Sequence, residues 1–225
     1  ENILEVVDRT DSGNVASLYK ETNGDLRYIP ELKSFMAWVD GRWKMDPSGV
    51  HAHEMALSVA AGYSKHAQKL SAEAMKPHLS DKERDRIQAA AKSIENWSSK
   101  CRDKHKLDAM QDLAKRDRRF VVEASKLDQD SELLGVQNGV VHLRTGELRV
   151  DSREDLVTKR CTVDYNPMAT AERWELFISE ITSSGGRLVG GELQRKKRPH
   201  LAEYLQKLLG YGLTGSTAEQ VLIIM

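Results

Sequence analysis

Cysteine is nearly absent. The 225-residue sequence has two, Cys101 and Cys161, and neither stands in a C-x-x-C pair. The expectation is two free thiols, buried or half-buried, in a reducing cytosol. A surplus of either charge is absent as well, since 34 lysines and arginines balance 34 aspartates and glutamates. Bulk charge therefore points to no partner, and any affinity for nucleic acid must come from local patches. No apolar run approaches the ~18 residues of a membrane span and no signal peptide opens the chain, so no membrane partner is expected. No internal repeat recurs. What is present is 40% hydrophobic and 30% charged. That is an ordinary soluble composition, long enough for one large domain or two small ones.

Residues 1–50 read as a helix followed by strands. Asp11 or Ser12 is the expected cap of a short helix through Tyr19, which Asn23-Gly24 ends. Leu26–Ile29, Phe35–Val39 and Arg42–Met45 read as strands, the last two joined by Asp40-Gly41, a two-residue hairpin signal. Residues 51–120 change period. Ala56, Ala60, Tyr63, Ala67 and Leu70 form one helical stripe, which Pro77 breaks. Ser80-Asp81-Lys82-Glu83 is a capping box opening a second helix with Ile87, Ala90, Ala91, Ile94, Trp97 and Cys101 on one face. Leu107, Met110, Leu113 and Ala114 suggest a third, giving a charged helical bundle.

Residues 121–170 read as a second hairpin, Val140–Leu143 and Glu147–Val150 about Thr145-Gly146, and then an extended stretch ending at Pro167. Residues 171–218 read as a helical subdomain. Thr170 is the expected cap of a helix carrying Trp174, Phe177, Ile178 and Ile181. The stretch SSGGRLVGGELQRKKRP follows as a loop, and a last helix carries Leu201, Tyr204, Leu205 and Leu208. The fold class expected is α+β, predominantly helical: a helical bundle with two β-hairpins or a small antiparallel sheet.

The segment GYGLTGST, 210–217, fits G-x-G-x-x-G and lies one residue from a P-loop. Both motifs must follow a strand and open a helix, so that helix N–H groups face the phosphate. Here the glycines follow a helix, and Ser216 replaces the lysine. A glycine-rich helix end and turn is the reading, with no cofactor bound here. Val221–Met225 has the β-branched, apolar character of a buried parallel strand. Residues 219–225 are expected to start the first strand of an ATPase domain lying beyond them. Glu1 without a methionine suggests a cut at the other end too.

At these residues a resemblance emerges. GDLRYIPELKSFMAWVDGRWKMD, LLGVQNGVVHLRTGEL, DLVTKRCTVDYNP and YLQKLLGYGLTGSTAEQ together resemble, in order, the domain preceding the helicase in phage and plasmid primase–helicases. That domain is shared with the poxvirus primase–helicase. The most specific piece is similar to an N-G-V-x-D-L-x-T-G-E-L hairpin, with His142 where the family commonly has aspartate. The resemblance implies a parent protein that unwinds DNA with ATP and Mg through a superfamily 3 helicase domain, often as a hexameric ring and often fused to a primase. It implies the cytoplasm of a bacterium or phage-infected host. The P-loop lysine, metal-binding acid and arginine finger would lie beyond Met225, so no catalytic residue, cofactor or metal is expected in this chain.

Two basic stretches are the candidate DNA contacts. Arg195-Lys196-Lys197-Arg198 puts four cations in a row, and lysines or arginines that neutralise phosphates release counterions. Residues 100–119 carry eight cations against four aspartates, with Arg116, Arg118 and Arg119 clustered. A solvated charged face is the competing reading for both. Trp38 and Trp43 could stack on bases but read as core anchors, as do Trp97 and Trp174. His51, His53 and Glu54 do not converge as metal ligands. Asp128 with Asp130, and Glu154 with Asp155, read as turn or helix-start acids. The expected function is a non-catalytic collar module that positions single-stranded or forked DNA, contacts its own helicase domain and helps assemble a homo-oligomeric ring. The alternative is a protein-interaction and oligomerisation module without DNA binding of its own.

Overall fold

A computed structural model of the chain describes residues 7–189, 192–216 and 218, with backbone alone at 187–189 and 192–196. The expected strand at Val221–Met225 lies outside the described residues. The chain divides into two units, 1–127 and 128–225.

In the first unit, α1 (Asp11–Thr22) is capped by Thr10, not by Asp11 or Ser12. The Thr10 backbone is still extended, and its hydroxyl accepts from Gly13 N at 2.9 Å, the geometry an N-cap requires. Asn23 ends the helix in the left-handed region. Three antiparallel strands follow in order, β1 (Leu26–Ile29), β2 (Ser34–Val39) and β3 (Arg42–Asp46). Asp40 and Gly41 both take positive φ, 53° and 71°, as a type I′ turn demands. The turn fixes Trp38 opposite Trp43, edge to face with ring centroids 5.4 Å apart. Trp43 is buried and Trp38 half-buried, so the hairpin tryptophans anchor the core as expected.

Helices α2 (Val50–Glu73), α3 (Asp81–Cys101) and α4 (Lys104–Ala114) complete this unit. The α3 capping box forms as read from Ser80 and Glu83. Gly49 starts α2 without a side-chain cap, and the buried Asp46 carboxylate accepts from Ala52 N at 3.0 Å in its place. The core joins Leu18, Leu26, Phe35, Ala60, Ile94 and Phe120, so helices and sheet share one apolar interior. Within it sits one polar hub. The fully buried Asn14 Oδ1 accepts from Tyr63 Oη at 3.1 Å and from Trp97 Nε1 at 3.2 Å, and Nδ2 donates to Cys101 Sγ at 3.4 Å. Burial pushes the Tyr63 hydroxyl and the Cys101 thiol up from their ordinary pKa values. Both cysteines are free, Cys101 buried and Cys161 half-buried.

The second unit contains β4 (Leu133–Val136), β5 (Gly139–His142), β6 (Glu147–Arg149), α5 (Glu172–Ile181), β7 (Ser184–Val189), β8 (Glu192–Lys196) and α6 (Pro199–Leu213). The expected hairpin is the β5–β6 part of a three-stranded sheet, with β4 added in front. The basic loop is also more ordered than its sequence suggested. Its arms pair as the antiparallel ribbon β7–β8, with Val189 opposite Glu192. A Gly-Gly dipeptide between runs that pair in this way is itself a two-residue hairpin signal. Thr170 does not cap α5: Ala171 holds the cap position, without a side-chain bond. Gly210 and Gly212 lie inside α6. No helix among the described residues is long and apolar enough to cross a membrane.

The largest departure concerns α5. Its apolar stripe was read as core, yet Trp174 is 50% and Phe177 47% exposed. No described residue of α5 or α6 is buried. Amphipathic periodicity predicts that a face wants cover, not that the same unit supplies it.

Candidate nucleic-acid interface

The two predicted basic clusters belong to different units: Arg116, Arg118 and Arg119 to the first, Arg195 to Arg198 to the second. In the first unit the chain leaves α4 through a turn and then runs beside β1. Tyr28 N donates to Phe120 O at 2.8 Å, and Val122 N donates to Tyr28 O at 2.9 Å. Phe120 is fully buried under this lacing and meets the Tyr19 ring edge-on at 5.5 Å. The turn is therefore rigidly based, which holds its arginines in a fixed arrangement.

Most cations of residues 100–119 are engaged. Lys104 pairs with Asp108 at 2.7 Å, Lys106 with Asp11 at 2.9 Å, and Lys115 with Asp112 at 2.8 Å. Arg119 donates from Nη2 to Asp117 at 2.6 Å and from Nε to both Asp117 oxygens at 3.1 Å. Its guanidinium also lies 4.9 Å from the Tyr19 ring centroid. This hydrogen bonding holds the Asp117 carboxyl below its usual range and raises Arg119. Arg116 and Arg118 are exposed and have no carboxylate partner among the described residues. Such unpaired guanidiniums are what a phosphate would meet.

The sequence reading passed over Arg27. On β1, it donates from Nη1 to the Arg119 carbonyl at 2.7 Å. Ninety-two positions separate the two residues. No local pattern announces the contact, because only the pairing of β1 with the turn after α4 creates it.

In the second unit the cationic run starts at the end of β8 and reaches the N-terminus of α6, where Arg198 is the cap residue and Pro199 takes the first helical position. Lys197 and Arg198 are exposed. Arg195 and Lys196 lie on the β8 backbone, and their side chains are outside the description.

The hairpin motif from Asn138 to Leu148 has a structural task. Asn138 copies a strand edge: Nδ2 donates to Tyr165 O at 3.0 Å and Oδ1 accepts from Tyr165 N at 2.9 Å. Tyr165 Oη then donates to Gly146 O at 2.9 Å, so the extended segment is stapled to both ends of the motif. His142 closes the second turn through its carbonyl, which accepts from Gly146 N at 2.8 Å. Its Nε2 lies 4.0 Å from Glu132, which Arg144 also binds. The paired acids are likewise structural. Asp128 accepts from Thr158 N and Oγ1, both at 2.6 Å, and Asp155 takes Arg149 in a two-pronged pair. Arg160, nearly buried, joins Asp151 and the Val136 carbonyl, fixing the segment beside β4.

The family described as D5 N terminal like matches residues 15–183, well over half of the chain. The chain belongs to this family. It is an N-terminal domain of the D5-like primase–helicase kind, which places it in DNA replication. The match runs from α1 through α5 and takes in the Arg116–Arg119 turn and the stapled hairpin motif. The run Arg195–Arg198 lies past its end. No curated protein matches the chain significantly.

Proposed function

We propose that this D5 N-terminal-like domain is a non-catalytic collar module of a primase–helicase, guiding single-stranded or forked DNA toward the motor and helping the ring assemble. ATP and Mg serve the parent protein's helicase domain in this reading. One observation carries the DNA part. Arg116 and Arg118 remain exposed and without carboxylates while their neighbours Lys115 and Arg119 are neutralised. Lys197 and Arg198, exposed at the start of α6, support it. Zero net charge is compatible, because a local field within a Debye length of about 8–10 Å suffices for phosphate contact.

The test replaces Arg195 to Arg198 together by alanine and follows fluorescence anisotropy of a labelled single strand at several salt concentrations. If all four contact phosphates, the slope of log K against log salt flattens by about 3, since each contact with a single strand contributes about 0.7. An unchanged slope removes this run from the interface.

A second reading, oligomerisation, is favoured by a different observation. Between α5 and α6 runs an apolar groove of about 860 Å³, lined by Trp174, Ile178, Leu209 and Leu213. Tyr204 on α6 is 59% exposed. Light scattering discriminates the two. Self-association that Phe177→Asp abolishes supports the oligomer reading, whereas a monomer at every concentration rejects it for this chain alone.

A further inference from the structure

We infer that Arg27 is a phosphate-contacting cation alongside Arg116 and Arg118, and that Arg119 is a positioning residue instead of a contact. The inference rests on the DNA reading above and reassigns roles within its first patch.

Arg119 is poorly suited to meet a phosphate. Its Nε and Nη2 hydrogens face Asp117, and its flat face covers Tyr19. A phosphate would have to displace a carboxylate already in place, exchanging one anion for another with no counterion released from DNA in net terms. What Arg119 offers is its backbone. Its carbonyl takes one hydrogen of the Arg27 fork at 2.7 Å.

Arg27 has the opposite character. It is half-buried and has no carboxylate partner among the described residues. A guanidinium carries five N–H donors in a rigid fork. One carbonyl bond fixes the fork's position and leaves its full positive charge uncompensated. The strand beneath it is laced to the Phe120 and Val122 backbone, so the fork is held beside the Arg118–Arg119 peptide. Gly24, at φ 87°, leaves space on the other side, since a Cβ there would stand 3.4 Å from Arg27 Nη2. An arginine already held in position loses less side-chain freedom on binding than a free surface lysine does. Three uncompensated arginines then project from one rigid turn-and-strand platform, suited to a sugar–phosphate backbone and blind to base sequence.

The experiment compares the 225-residue chain with Arg27→Ala, Arg27→Lys, Arg119→Ala and the double Arg116→Ala/Arg118→Ala variant, by anisotropy of a labelled single strand across a salt series. Thermal unfolding of each variant reports whether it is folded. Arg27→Ala should lower affinity about fivefold at 0.1 M salt and reduce the salt slope by about 0.7, one phosphate's worth. Arg27→Lys should recover most of the slope, because it keeps the charge. Arg119→Ala keeps the carbonyl that holds Arg27. It should weaken binding only by loosening the turn, with the slope at its wild-type value. The inference is overturned if Arg27→Ala keeps the wild-type slope while the double variant loses it, and the DNA reading then stands without Arg27. It is equally overturned if Arg119→Ala is the variant that loses slope. If the double variant also binds as wild type, the DNA reading of this patch fails as a whole.

Discussion

Gly139→Ala should destabilise the second unit by on the order of 3–5 kcal/mol. Two costs combine. Gly139 has φ 148°, a region closed to residues with a Cβ, and such backbone strain costs of order 1–3 kcal/mol. A Cβ built there would also stand 2.3 Å from the Arg149 carbonyl oxygen, a backbone atom that cannot rotate away. Overpacking of this kind typically costs a further 1–3 kcal/mol. The strand β6 would have to move off β5, taking Arg149 and its Asp155 partner with it. Urea unfolding followed by circular dichroism measures the loss, with separate transitions fitted if the two units unfold independently. Gly62→Ala is the matched control. Gly62 sits inside α2 with nothing within 4 Å of a built Cβ, so the same added methyl should stabilise by about 0.5–1 kcal/mol. A similar loss at both glycines would contradict the packing described for β5 and β6.

Phe120→Ala should cost the first unit about 3–5 kcal/mol, the usual range for deleting a fully buried ring. The ring supports Tyr19, and Tyr19 in turn lies under the Arg119 guanidinium. Loss of the ring therefore reaches the surface through two aromatic contacts. The expected result is a lower unfolding midpoint together with weaker binding of single-stranded DNA at temperatures where the variant is still folded. Phe120→Leu keeps most of the apolar volume and should retain both properties in larger measure. A Phe120→Ala variant that loses stability but binds DNA as tightly as wild type would separate the core from the arginine turn.

The parts of this fold that were legible in the sequence are those with a local cause. Ser80 and Glu83 announce their own capping box, and Asp40-Gly41 announces a turn needing two positive φ values. Leu26–Ile29 was legible as a strand from its own residues. Three features were not legible. The strand β4 exists because β5 pairs with it, and the same Leu-Leu-Gly-Val run is ambiguous when alone. The ribbon β7–β8 lies in a segment so glycine-rich and basic that its weak alternation is masked. For α5, periodicity identified the apolar face but could not say that Trp174 would stay half exposed.

The candidate site divides along the same line. Clusters such as Arg116 and Arg118 are visible as composition. Which members are neutralised depends on partners. Asp117 pairs with Arg119 within two residues, a contact the sequence permits without announcing. Lys106 finds Asp11 from 95 positions away, and Arg27 finds the Arg119 carbonyl from 92, so neither contact follows from any local pattern. The Asn138–Leu148 motif illustrates the converse. Its specificity is high, yet Asn138, Gly139 and Gly146 serve to staple a sheet to the Tyr165 segment. The most recognisable stretch of the chain therefore carries the fold, while the arginines proposed to meet DNA lie in a less conspicuous turn.

The most direct measurement is the affinity of the 225-residue chain for a labelled single-stranded oligonucleotide as a function of salt. Contact through Arg27, Arg116, Arg118 and the Arg195–Arg198 run predicts binding in which log K falls linearly with log salt, with a slope several times the ~0.7 of one phosphate. No binding at micromolar protein and low salt, or an affinity indifferent to salt, would contradict the account.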